Sequence, residues 1–199
     1  NPEYLIKSIA EQGYTLETAL ADLIDNSISA NCNKVDVYSK RKAPSQPLRM
    51  FITDNGDGMS EEELTKNLRF PSSCIDENRG ENDLGRFGLG LKTASFSQTR
   101  KFTVISRKKG TTHFSGRTWD VDLLKKGAWK IIKEPQSRIQ SLINSYTADL
   151  VIRIGGDKFT DFNPNTFIIW EGMFKFDEYY VNDASGYLNK QLTNTTVDY

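Results

Sequence analysis

Apolar residues at Leu16, Ala19, Leu20, Leu23, Ile24 and Ile28 recur at three- and four-residue intervals, which predicts a helix from about Thr15 to Asn31 with one face on a core. The opposite face carries Asp22, Asp25, Asn26 and Ser29, and Asp22 and Asn26, four apart, stack one turn from each other. Upstream, Pro2 to Glu11 reads as a shorter helix with Leu5, Ile6 and Ile9 on one side, closed by Gly13. Lys34 to Ser39 alternates as a strand. Leu48 to Thr53 is a β-prone run that ends in the glycine-punctuated turn Asp54-Asn55-Gly56-Asp57-Gly58. Ser60-Glu61-Glu62-Glu63 is a capping box for a helix reaching about Phe70. Pro71 to Asp83 has no apolar period, and such a stretch inside a compact domain is more often a functional lid than a packed element.

Gly85-Arg86-Phe87-Gly88-Leu89-Gly90-Leu91-Lys92-Thr93 then opens a helix through Ser97. Lys101 to Arg107 and Thr111 to Trp119 predict a hairpin around Lys108-Lys109-Gly110. Strands are expected at Trp129 to Lys133, Leu150 to Ile154 and Thr166 to Trp170, with a helix from Ser137 to Tyr146. The order of elements predicts an α+β fold, a two-layer α/β sandwich with a mixed, mostly antiparallel sheet and helices on one face. Residues 1–176 are read as one domain. Residues 177–199, polar and weakly patterned with one short helix around Ser185 to Leu192, are read as an extension, a linker or the start of a second domain.

Composition narrows the function classes. Twenty-six basic and twenty-six acidic residues cancel, which argues against a strong electrostatic binder of DNA or RNA. No apolar run is long enough to cross a bilayer and no charged leader precedes a hydrophobic block, so a cytoplasmic, intracellular protein without membrane contact is expected. Cys32 and Cys74 have no ligand-spaced partners and read as free thiols. His113, the only histidine, falls in a stretch read as strand, and no catalytic role is assigned to it.

Three segments carry the chemistry. A carboxylate and a carboxamide presented together, as at Asp22 and Asn26, suit a hard cation with its water, although a solvated helix face would look the same. At the turn, Asp54 can accept from an exocyclic amine, and Gly56 and Gly58 let a flat base approach the backbone. An ordinary turn has the same composition. The backbone amides at the start of the Gly85–Gly90 segment would make an anion site at a helix N-terminus. Their order, G-x-x-G-x-G, is not the dinucleotide fingerprint. It also misses the P-loop, because Leu91 separates Gly90 from Lys92.

Taken in order, Asp22-Leu23-Ile24-Asp25-Asn26, Asp54-x-Gly56-x-Gly58 and Gly85-x-x-Gly88-x-Gly90-Leu91-Lys92 resemble the boxes of the GHKL ATPases with the Bergerat fold. These include DNA gyrase B subunits, MutL proteins, the ninety-kilodalton heat-shock chaperones, histidine-kinase ATP domains and MORC proteins. Within the group, the Leu84–Lys92 and Asn165–Gly172 segments look most like MORC-type and MutL-type members. The resemblance implies an ATPase using ATP and Mg2+. Asn26 would bind the metal, Asp54, Gly56, Gly58 and Met59 the adenine, and Gly85, Arg86, Phe87, Gly88, Leu89, Gly90 and Lys92 the phosphates. Thr166 would be an adenine-side contact and Asp22 the catalytic carboxylate. Hydrolytic relatives usually carry glutamate where this chain has Asp22, one methylene shorter, which implies slow turnover. An ATP-dependent homodimer, with DNA or protein as client through further domains, is also implied. A histidine-kinase-type domain is the alternative, but His113 lacks the acidic neighbour and apolar heptads of a phosphoacceptor helix. A nucleotide-sensing module without turnover is the third reading.

Overall fold

In a computed structural model, the structure describes residue 8 and residues 14–41, 48–70, 90–124, 130–154, 162–173 and 196–198. Apart from residue 8, the helix read at Pro2 to Glu11 lies outside these, as do the 71–83 stretch with Cys74, residues 85–89 and the helix read at Ser185 to Leu192. In chain order the described elements are α1 (Leu16–Ser29), β1 (Lys34–Lys40), β2 (Arg49–Asp54), α2 (Glu61–Leu68), α3 (Gly90–Gln98), β3 (Thr99–Ser106), β4 (Ser115–Asp120), α4 (Val121–Leu124), β5 (Ile132–Lys133), α5 (Gln136–Ile154), β6 (Thr166–Met173) and β7 (Thr196–Asp198).

The seven strands form one sheet in the order β5-β4-β3-β6-β2-β1-β7, and every pairing among them is antiparallel. Alternation along each strand separates two faces. One face presents Val35 and Val37, Met50 and Ile52, Phe102 and Val104, Ile168 and Trp170, which share a core with Ala19 and Leu23 of α1, Leu64 and Leu68 of α2, and Ala94 and Phe96 of α3. This is the α+β sandwich expected. The second face presents Phe51, Ile105, Phe167 and Ile169, and α5 covers it with Ile139, Leu142 and Tyr146. Helices therefore pack on both faces, the larger group on the first.

Local chemistry sets the helix ends. The Thr15 hydroxyl accepts from the Thr18 N–H at the start of α1. At α2 the capping box is complete: Ser60 Oγ accepts from Glu63 N, and Glu63 Oε2 accepts from Ser60 N. The strand expected at Leu150 to Ile154 is instead the end of α5. No glycine or proline interrupts the spacing Ile139, Leu142, Ile143, Tyr146, Leu150, and this stripe packs on the second face, so helical burial prevails over the β-preference of Val151 and Ile152. His113 lies in the loop before β4, not in the strand, and is exposed.

Register stacks the first face in levels. Met50, Trp170, Phe102 and Trp119 are neighbours on successive strands, forming an aromatic level. Its two indole N–H groups are satisfied, Trp170 by Ser95 Oγ at 3.0 Å and Trp119 by Leu68 O at 3.0 Å. The next level is Val37, Ile52, Ile168, Val104 and Arg117. At the strand ends the level becomes polar: Asp54, Thr166, Ser106 and Ser115 stand side by side on four neighbouring strands. The apolar core ends there and the candidate site begins.

Candidate functional site

Asp54 ends β2, and only 5% of it is exposed. Its Oδ1 accepts from Gly56 N at 2.9 Å and its Oδ2 from Ser27 Oγ at 3.1 Å. Burial pushes its pKa up, with the Gly56 and Ser27 hydrogen bonds working in the opposite direction. A carboxylate has about four acceptor positions, and these two donors are the ones it has among the described residues. Half of its acceptor capacity has no donor among the described residues.

The loop after Asp54 is folded onto the end of α1. Asp57 N donates to Ala30 O at 2.8 Å, and a Cβ at Gly56 would stand 2.6 Å from that same Ala30 oxygen. Gly58 has φ +61°, and a Cβ there would stand 1.8 Å from Arg107 O. Both positions are closed to a side chain by backbone. Met59 N donates to Ser106 Oγ at 2.9 Å, and Ser106 Oγ also pairs with Thr166 Oγ1 at 3.0 Å. Thr166 thus joins Asp54 and the loop in one polar row. Ser106 escapes sequence reading because a serine at a strand end looks ordinary; the signal is the break in the apolar spacing Phe102, Val104, Ser106.

Ser27, the residue after Asn26, is the side chain that touches Asp54, so the α1 contact with the loop is made where the predicted metal residue lies. Asn26 itself is exposed. Asp22, one turn earlier, is half-buried, and its Oδ2 accepts from Tyr14 OH at 2.7 Å. That bond, followed by burial and the negative charge of Asp22, raises the Tyr14 pKa. Tyr14 was missed in the sequence because it precedes the helix and nothing local ties it to Asp22. Among the described residues no cluster of three His, Cys, Asp or Glu could hold a metal. An exposed carboxamide nonetheless fits magnesium, which keeps most of its water and takes few protein ligands.

Of the predicted phosphate residues, Gly90 and Lys92 are described. Gly90 is exposed at the start of α3, with open space where a Cβ would stand. Lys92 is 1% exposed, and its Nζ donates to Asn67 O and Arg69 O, both at 2.8 Å, while standing 5.4 Å from the Phe70 ring centroid. The ammonium closes the C-terminal end of α2, where a cation meets carbonyls with no helical partner. Burial pulls its pKa down to about 8. The expectation that Lys92 reaches phosphate is not how this structure places it.

A polar row with a buried carboxylate at one end of a helix-covered antiparallel sheet, and glycines forced by backbone approach beside it, is an α+β sandwich whose candidate site lies at the strand ends. The chain belongs to the family of histidine kinase-, DNA gyrase B- and HSP90-like ATPases, whose sequence pattern matches residues 14–150. It is 30% identical over 94 residues to ATPase MORC2B of Mus musculus, covering 47% of this chain and 9% of that protein. It is 34% identical over 100 residues to a Schizosaccharomyces pombe protein described as a MutL protein homolog, covering 49% of this chain and 14% of that one. A chaperone protein HtpG from Natranaerobius thermophilus is 31% identical over 101 residues, 46% of this chain and 16% of the chaperone. The match thus spans a small part of each relative's own length. No helix among the described residues is long and apolar enough to cross a membrane.

Proposed function

We propose that this chain is an ATP-binding, magnesium-dependent ATPase module. The observation that carries the reading is Asp54: a buried carboxylate with two acceptor positions that no described residue fills, beside two glycines packed backbone to backbone against Ala30 and Arg107. In this reading the carboxylate accepts from the adenine amine, and Gly56, Gly58 and Met59 frame the base with Thr166 behind it. Asn26 holds magnesium against the phosphates, and the metal supplies charge neutralisation at the phosphoryl oxygens when bound. The amides of residues 85–90 are assigned to the phosphate chain. The 71–83 stretch is assigned to a lid, and nucleotide binding to promotion of a homodimer whose DNA or protein client is engaged by other parts of the protein. A cytoplasmic location goes with this reading.

Asp22 is assigned to orienting or deprotonating the attacking water. An aspartate is shorter than a glutamate by roughly 1.5 Å, and misplacement of that size costs about a hundredfold in rate. The Tyr14 hydroxyl on Asp22 Oδ2 adds to this by occupying one carboxylate oxygen. That contact favours, as a second reading, a nucleotide-sensing module with little turnover.

Calorimetry with ATP tests the binding step, with and without Mg2+. Asn26→Ala is expected to weaken ATP binding in the presence of the metal and leave metal-free binding within a few-fold. Equal weakening in both conditions would remove Asn26 from the metal site. Turnover of Asp22→Asn equal to wild type in a single-turnover assay would replace the ATPase reading by the sensing one.

A further inference from the structure

A polar hollow open to solvent lies at the same strand ends. It is a cavity of about 490 Å³ lined by none of Asp22, Asn26, Asp54 or Lys92; Arg107, Lys109, Thr112, Asn33, Asn163 and Asn165 are among its lining residues. We propose that this cavity is a binding site for a small phosphorylated anion, separate from the nucleotide site.

The argument rests on which hydrogen-bonding groups are already used. Arg107 Nε donates to Asn165 Oδ1 at 3.0 Å and its Nη2 to Asn163 Oδ1 at 2.7 Å. Asn33 Oδ1 accepts from Asn55 Nδ2 at 2.6 Å. The carboxamide oxygens of Asn33, Asn55, Asn163 and Asn165 are thus engaged inside the protein, which leaves that of Asn31 as the one lining carboxamide oxygen without a donor among the described residues. The donors are not so engaged. Among the described residues Arg107 Nη1, Lys109 Nζ, Asn33 Nδ2, Asn163 Nδ2 and the Thr112 hydroxyl have no protein partner; Arg107 is half-buried and the other four residues are exposed, so a ligand here displaces water. No acidic residue lines the cavity; the carboxylate of nearby Asp57 accepts from Asn31 Nδ2 at 2.7 Å.

A surplus of donors with two cations and no carboxylate selects an oxyanion. Five separate donor groups exceed what two carboxylate oxygens take, and suit phosphoryl oxygens. Arg107 is already oriented, by its two asparagines and by the Phe114 ring 4.6 Å from its guanidinium carbon, so little ordering remains to be done when the anion arrives. The turn at Gly110, with φ +84°, follows Lys109 in the hairpin loop. The wall shared with the nucleotide loop is Asn55, a residue of that loop, and Asn165, whose Nδ2 donates to Gly56 O at 2.8 Å.

Titration of the chain with inorganic pyrophosphate in metal-free buffer, followed by heteronuclear NMR, tests the site. Saturable shifts are expected at the side-chain amides of Asn33 and Asn163 and the backbone amides of residues 109–112. Asn163→Asp keeps the oxygen that Arg107 uses but replaces the free NH2 by a negative oxygen; it is expected to weaken these shifts about tenfold or more, as is Lys109→Glu. Asp54→Asn is expected to leave them unchanged, which separates this site from the nucleotide reading whether or not that reading holds. Shifts confined to α1 and residues 90–92, or wild-type affinity in both Asn163→Asp and Lys109→Glu, would overturn the proposal.

Discussion

Asp36 and Asp54 are buried on adjacent strands, one residue apart in register and on opposite faces of the sheet, and they do different work. Val35 stands opposite Asp54, and Asp36 opposite Thr53. Asp36 lies under α5: Tyr146 OH donates to its Oδ2 at 2.6 Å, and Thr53 Oγ1 donates to the Tyr146 oxygen at 3.1 Å. Tyr146 is fully buried, so this carboxylate fastens a helix to the second face. Asp54 lies at the edge of the first face and is only half satisfied. Burial of a charge is therefore no guide to function by itself; what separates the two is their surroundings, a packed helix closed over Asp36 and a loop at the sheet's end beside Asp54.

Lys92 is a further buried charge, and the comparison places it with Asp36 and not with Asp54. Lys92→Met removes two charge-assisted hydrogen bonds and leaves two carbonyls at the end of α2 without their donor. A loss of about 2–4 kcal/mol in urea-denaturation stability is expected. If stability is unchanged and only ATP affinity falls, Lys92 belongs to the phosphate site and the comparison breaks.

Tyr146→Phe withdraws the hydroxyl from Asp36 and is expected to destabilise by about 1.5–3 kcal/mol while leaving ATP affinity of the folded protein unchanged. Asp54→Asn should do the reverse. Its affinity for ATP falls by about 1–3 kcal/mol, on the order of one to two decades, with little loss of stability.

Acid titration sharpens the contrast further. Burial raises the Asp54 pKa above its unfolded value, so the folded state holds that proton more tightly. Its contribution to stability is greatest in acid and declines as pH rises through the raised pKa; Asp54→Asn removes this slope. Glu61 has the opposite sign. Hydrogen bonds from Lys133 and then Arg117 lower its pKa from the ordinary 4.5 to about 2. Its contribution is present above pH 4.5 and is lost as pH falls towards 2, a slope that Glu61→Gln abolishes. Comparing chemical denaturation from pH 2 to 7 for the two variants and wild type reads both signs.

The smallest effect is expected at Tyr14. Tyr14→Phe frees Asp22 Oδ2 and should change single-turnover hydrolysis by a few-fold, with ATP affinity unaltered. A rise in rate would mean that the tyrosine restrains the carboxylate; a fall would mean that it aims it.

What could be read from the chain were the features made by neighbours in sequence. The stripe of α1, the Ser60–Glu63 capping box and the Asp54–Gly58 loop depend on spacings of a few residues. The polar row of Asp54, Thr166, Ser106 and Ser115 depends on register across four strands, which no local pattern states. The link between Tyr146 and Asp36 spans 110 residues, and that between Lys92 and the end of α2 spans 23 and 25. Lys92 stands apart from its reading in the sequence for that reason. Beside glycines in sequence it reads as a phosphate ligand, and only packing shows the carbonyls that already hold it. The end of α5 was misread for a related one, since β-branched residues there are overruled by the helical stripe that covers the second face.

The central claim is that Asp54 keeps acceptor capacity for the adenine amine. Inosine triphosphate carries a carbonyl oxygen where ATP carries that amine, so it presents an acceptor to the carboxylate. Calorimetric titration of both nucleotides into wild type and Asp54→Asn is therefore the most direct measurement. Wild type should prefer ATP by about tenfold or more, and Asp54→Asn, whose carboxamide can donate or accept, should lose that preference. Equal affinity of wild type for the two nucleotides would contradict the account.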